Sequence, residues 1–170
     1  MRQQESISAA LESEHRCIDE RFKRFEEGLA SGHVVAEPFE EAAKVLHRHI
    51  YIEEEVLFPA VEARGLVGPT AVMAMEHGEI CRFLGGIRDL IQEKASPGRI
   101  QGSFKALRSL LEEHNFKEER VLYPNADRIL GQDDVRAVVE DERGGGPRGL
   151  GVPCPSLRQG MTRACQGEWA

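Results

Sequence analysis

A chain of 170 residues, 41% of them hydrophobic, has room for one domain with a real core. Its formal charge of −7 argues against nucleic acid as a partner, because phosphate contact needs clustered Lys and Arg. No apolar run reaches the roughly 18 residues a membrane span needs, and no cationic-then-apolar leader opens the chain, so no membrane is expected and the cytoplasm is the expected address.

From about Glu5 to Ala30, apolar residues at Leu11, Ile18, Phe22, Phe25 and Leu29 form a helical seam that His15 completes. Gly28 and Ser31-Gly32 end it. Pro38 suits the first turn of a second helix, where its missing N–H costs nothing. That helix presents Phe39, Ala42, Leu46, His49, Glu53 and Val56 inward. Gly65, Gly68 and Pro69 mark a loop. A third helix is expected from about Thr70 to Lys94, with Met73, His77, Ile80, Leu84, Ile87 and Ile91 inward. After the break at Ser96-Pro97-Gly98, a fourth shows Phe104, Leu107, Leu110 or Leu111, His114, Glu118 and Val121. Pro59 and Pro124 should kink or stop helices two and four. Asp133 to Glu142 could form a short extra helix.

Four amphipathic helices with short loops predict an all-α fold, an antiparallel up-down-up-down four-helix bundle spanning residues 1–142 with the short extra helix. The Gly/Pro-rich, aperiodic text of residues 143–170 predicts a disordered tail. Four Arg against Glu168 give that tail +3, which leaves −10 on the body. The four cysteines show no C-x-x-C pairing and suggest no disulfide framework. Cys17 and Cys81 read as small buried hydrophobes.

One phrase occurs twice. His49-Ile-Tyr-Ile-Glu53-Glu54-Glu55-Val56-Leu57-Phe58-Pro59 returns 65 residues later as His114-Asn-Phe-Lys-Glu118-Glu119-Arg-Val121-Leu122-Tyr123-Pro124. Each copy is preceded by a shorter shared phrase, Glu14-His15-Arg-Cys-Ile18 and Glu76-His77-Gly-Glu-Ile80. Each half thus supplies one lone His and one His-x-x-x-Glu pair. Positions i and i+4 share one helix face, so His49 with Glu53, and His114 with Glu118, point at the same place. At ~1.5 Å rise per residue, His15 lies roughly 21 Å before the end of helix one and His49 roughly 18 Å into helix two; His77 and His114 match at roughly 25 and 21 Å. The ligands converge.

Six ionisable groups on core faces would be costly if unpaired, and a bound cation removes that cost. Four imidazoles with two carboxylates able to bridge suit a pair of iron ions better than one structural zinc, which favours thiolates. The alternative for Glu53 and Glu118 is a buried ion pair.

The His…His-x-x-x-Glu…His…His-x-x-x-Glu array, with its E-E-x-V-L-F-P phrase, resembles the hemerythrin-like (HHE cation-binding) family over roughly residues 5–130. The resemblance implies a four-helix bundle around a non-haem di-iron centre, oxo- or hydroxo-bridged, with His15, His49, His77 and His114 as terminal ligands and Glu53 and Glu118 as bridging carboxylates. Oxygen-carrying members have a second His one turn before the third-helix ligand, where this chain has Met73. Their fourth-helix carboxylate sits five residues after its His, whereas here both Glu118 and Glu119 are available. The symmetrical arrangement looks more like the iron-sulfur-repair, nitric-oxide-responsive and iron-sensing branches. The expected function is therefore a di-iron protein that binds or senses a small oxidant (O2, NO or peroxide) or handles iron for cluster repair. Reversible oxygen storage and an iron-dependent regulatory module are the alternatives.

Several residues are set aside. Glu54, Glu55, Glu112, Glu113 and Glu119 read as solvated faces, His47 as exposed and His33 as part of a loop. Tyr51 faces away from His49. Tyr123, which follows the second motif and could approach the site, is not counted among the ligands. Met73 is expected to pack near the metals and narrow access, and Cys81 to pack in the core rather than act as a redox neighbour.

Overall fold

A computed structural model describes residues 6–144, with side chains to Val138; the expected tail lies almost wholly outside the described residues. Helix α1 (Ile7–Ala30) runs into α2 (Ala36–Ile52), which continues through a wide turn at Glu53–Leu57 into α3 (Phe58–Glu62). Helices α4 (Val67–Gln92) and α5 (Pro97–Lys117) repeat the arrangement, with a second wide turn at Glu118–Leu122 leading into α6 (Tyr123–Ile129). The short extra helix is α7, Gln132–Gly144. The fold is the all-α helical bundle that the periodicity predicts.

Local chemistry fixes the ends. The Ser6 hydroxyl accepts from the Ala9 N–H at 3.1 Å at the start of α1. Asp127, on α6, accepts from the Ile7 N–H at 2.8 Å and from the Ser8 hydroxyl at 2.5 Å. Its negative charge suits the N-terminal end of a helix. Gly32 adopts a φ of 78° just past α1, a conformation open to a residue without Cβ.

Neither helix stops at its proline. The Phe58 N–H bonds to the Glu53 carbonyl and the Tyr123 N–H to the Glu118 carbonyl, each five residues back. Both are π turns, one residue wider than an α turn. A proline ring presses on the carbonyl four residues before it, and the wider turn gives that ring room. The extra residue also shifts the seam. Val56 is half-buried and Val121 is 46% exposed, contrary to the uninterrupted periodicity, while Leu57, Phe58, Leu122 and Tyr123 turn inward.

Two apolar clusters fill the bundle. One contains Phe22, Phe25, Phe39 and Phe104 with Leu46, Ile80, Leu84, Leu107 and Leu111. Its rings pack with centroids 5.1–6.1 Å apart, the range of favourable aromatic contact. The other gathers Ile7, Leu11, Leu57, Phe58, Met73, Leu122 and Tyr123, with Val138 of α7 fully buried against it.

Candidate metal centre

The six sequence-predicted ligands form a polar layer between those two clusters. His15 sits between Leu11 of one and Ile18 of the other, and His77 between Met73 and Ile80. His15, His49, Glu53, His77, His114 and Glu118 are all buried, none more than 4% exposed. Helical spacing alone brings them level, as the depth argument requires.

Within the layer the imidazoles pair. His15 Nε2 lies 3.0 Å from His49 Nε2, and His77 Nε2 lies 3.1 Å from His114 Nε2. The carboxylates span the two pairs. Glu118 approaches His15 at 3.3 Å with one oxygen and His114 at 2.9 Å with the other. Glu53 approaches His49 at 3.5 Å and His77 at 3.2 Å. Tyr123 reaches the same centre: its hydroxyl donates to Glu53 Oε1 at 2.7 Å and lies 3.1 Å from Glu118 Oε2.

All four rings turn Nδ1 outward onto a carboxylate: His15 to Glu119 at 2.8 Å, His49 to Glu14 at 3.0 Å, His77 to Glu54 at 2.8 Å and His114 to Glu76 at 2.9 Å. An Nδ1–H that donates to a carboxylate leaves Nε2 with a free lone pair, the tautomer a metal needs. Glu54 and Glu119 are therefore not merely solvated faces: each crosses to orient the lone His of the other half. Glu14 and Glu76 orient the His of their own half and are steadied by Arg48 and Lys117. Sequence reasoning missed these four carboxylates. The repeat carried the signal, since Glu14 matches Glu76 and Glu54 matches Glu119 in register.

The charges are strongly coupled. Burial pulls the His15 imidazolium down, but Glu118, Glu119 and Glu53 together carry its pKa up to about 9. His77 is likewise held well above the usual imidazole value; burial opposes this and Glu118, Glu53 and Glu54 outweigh it. Burial pushes Glu118 up, yet His114, His15 and His77 hold it well below the carboxylate range. Tyr123 is driven well above the ordinary phenol value by burial and by the Glu118 and Glu53 charges.

The residues fit a cation. Glu53 Oε2 and Glu118 Oε1 are buried and accept no aligned hydrogen bond, although imidazole nitrogens lie close by. Neighbouring donors held ~2.1 Å from one ion at right angles lie about 3 Å apart, which matches the two Nε2–Nε2 separations. Two groups could each hold an ion: Glu53, His77, His114 and Glu118 form one, and His15, His49 and Glu118 the other. Without a cation, each facing pair of nitrogens can be satisfied only by a shared proton.

Other polar candidates fall outside the layer. His33 is exposed in the α1–α2 loop, and His47 is half-buried rather than exposed. Met73 is buried in the apolar cluster that includes Phe58 and Tyr123. Cys81 packs in the opposite cluster, as expected, whereas Cys17 is only half-buried and receives the Arg21 guanidinium on its sulfur at 2.6 Å. Among the described residues, no helix is long and apolar enough to cross a membrane.

The family profile of the hemerythrin HHE cation binding domain matches residues 6–126, which takes in every residue of the layer. No curated protein and no solved structure matches the chain.

Proposed function

The chain belongs to the hemerythrin HHE cation-binding domain family, and from that premise we propose that it holds two iron ions and binds or senses a small oxidant (O2, NO or peroxide) or handles iron for iron-sulfur cluster repair. His15 and His49 would hold one ion and His77, His114 and Glu53 the other, with Glu118 shared between them. The observation that carries this reading is the convergence of four Nε2 atoms, each backed at Nδ1 by a carboxylate, on two buried carboxylates. Imidazole and carboxylate together favour iron or manganese over the thiolate-rich sites of structural zinc.

Iron in such a place supplies a change of oxidation state and an open coordination position. The protein's own residues do the rest. The four outer carboxylates fix the ring orientations and raise their basicity. The apolar clusters above and below exclude water, which strengthens every charge interaction in the layer. Phe58 stacks on His77 with centroids 5.7 Å apart and an interplanar angle of 7°, and so closes one side.

Met73 disfavours reversible oxygen carriage, because it offers no nitrogen where oxygen carriers place an additional His. The test is the visible spectrum of the iron-loaded protein under argon, O2 and NO. A stable adduct with NO, or oxidation by O2 or peroxide without a reversible oxygenated form, supports the proposal. An oxygenated spectrum that returns on degassing would transfer the assignment to oxygen storage.

A further inference from the structure

We infer that Tyr123 supplies an additional oxygen donor to the ion position framed by His15, His49 and Glu118, and so makes the two positions chemically unequal. This rests on the two-ion reading above. The six ligands divide unevenly, with four residues in the group around His77 and His114 and three in the group around His15 and His49. The phenol oxygen stands beside all three members of the smaller group. It lies 3.2 Å from His15 Nε2, 3.4 Å from His49 Nε2 and 3.1 Å from Glu118 Oε2. Those are the separations expected of neighbouring donors around a common ion.

Hydrogen bonding accounts for the placement only in part, because the phenol oxygen meets more acceptors than it has hydrogens to give. A phenol donates a single hydrogen, and the 2.7 Å contact with Glu53 Oε1 uses it. The 3.1 Å contact with Glu118 Oε2 competes for that same hydrogen, while His15 or His49 can donate back to the phenol oxygen. A cation among these atoms would satisfy the phenol, the carboxylate and both imidazole lone pairs at once.

The sequence difference that creates the asymmetry is one letter of the repeat. Phe58 holds the matching place in the first half, has no oxygen to offer, and packs on His77 instead. The π turn at Glu118–Leu122 is what swings Tyr123 inward, five residues after Glu118. Bond formation is balanced simply: the oxygen–metal bond forms, the O–H bond breaks, the proton leaves to solvent, and no electron is transferred. A hard anionic oxygen favours the ferric state at that position. The position by His77 and His114 has no phenol, so the two positions differ in the kind of donor they offer.

The test is to load wild type, Tyr123→Phe, Tyr51→Phe and Phe58→Tyr with ferric iron, then record metal content, visible absorption and resonance Raman spectra. The chain contains two tyrosines, so the assignment is closed by these variants. The expected wild-type result is a phenolate-to-iron charge-transfer band whose excitation enhances tyrosine ring modes. It should be lost in Tyr123→Phe and retained in Tyr51→Phe, with metal still bound in both; a second such band in Phe58→Tyr would add support. Wild type carrying two irons without phenolate modes overturns the inference and leaves the two-ion reading standing, as do modes that persist in Tyr123→Phe. Wild type that takes up no metal overturns both. If Tyr123→Phe does not fold, the wild-type Raman spectrum together with Tyr51→Phe decides the matter.

Discussion

Raising the pH of the chelated protein should unfold it more easily, and the size of the effect follows from His15. Its pKa is about 9 in the folded, metal-free cluster against 6.5 for an ordinary imidazole. A proton bound more tightly when folded stabilises the fold fully below 6.5, and that contribution is lost as pH rises through 9. At 1.36 kcal/mol per unit the loss is about 3 kcal/mol for this residue, and His77 shifts in the same direction. Glu118 limits the other side: its depressed pKa contributes stability above 4.5 that disappears as pH falls through its folded value. Metal-free stability should therefore be greatest between these limits. Urea unfolding monitored by circular dichroism at pH 6, 7, 8 and 9, with chelator present, measures the decline. Iron-loaded protein should show no comparable fall, because the ions have displaced the shared protons. Metal-free stability that is flat or rising from pH 6.5 to 9 would refute the coupling of His15 to Glu118 and Glu119.

Three further outcomes are expected. Leu122→Ala should cost about 2–5 kcal/mol as a buried truncation, whereas Val121→Ala should stay within about 0.5 kcal/mol; equal costs in chemical denaturation would contradict the π-turn register. Glu14→Gln, which takes the carboxylate from His49 Nδ1, should weaken metal binding ~10–100-fold in a chelator competition, and unchanged affinity would remove Glu14 from the account. His114→Ala should cost the ion on the His77 side and keep the other, leaving about half the metal in elemental analysis; full occupancy would contradict the division of ligands.

Much of the site was legible because its residues violate the pattern around them. A His at a seam position where Leu belongs is conspicuous, and four in repeat register with two Glu are difficult to explain as packing. Depth along the helices placed them in one layer for the same reason, since rise per residue is constant. What escaped was set by departures from ideal geometry and by outward-facing groups. Val56 and Val121 were assigned inward because period 3.6 was carried through Glu53 and Glu118, where the backbone widens by one residue. That same residue brings Tyr123 into the centre. Glu54 and Glu119 looked like ordinary surface carboxylates because only the crossing of the two halves gives each a His to orient. Glu14 lies one residue from His15 in sequence yet serves His49, a partner that only the packing of α1 on α2 reveals.

The most direct test of the central claim is metal content per chain after iron loading, compared between wild type and Glu118→Ala. Glu118 belongs to both ion-holding groups, so two irons in wild type and loss of both in the variant is the expected result. No iron, or a single zinc that Glu118→Ala leaves in place, would contradict it.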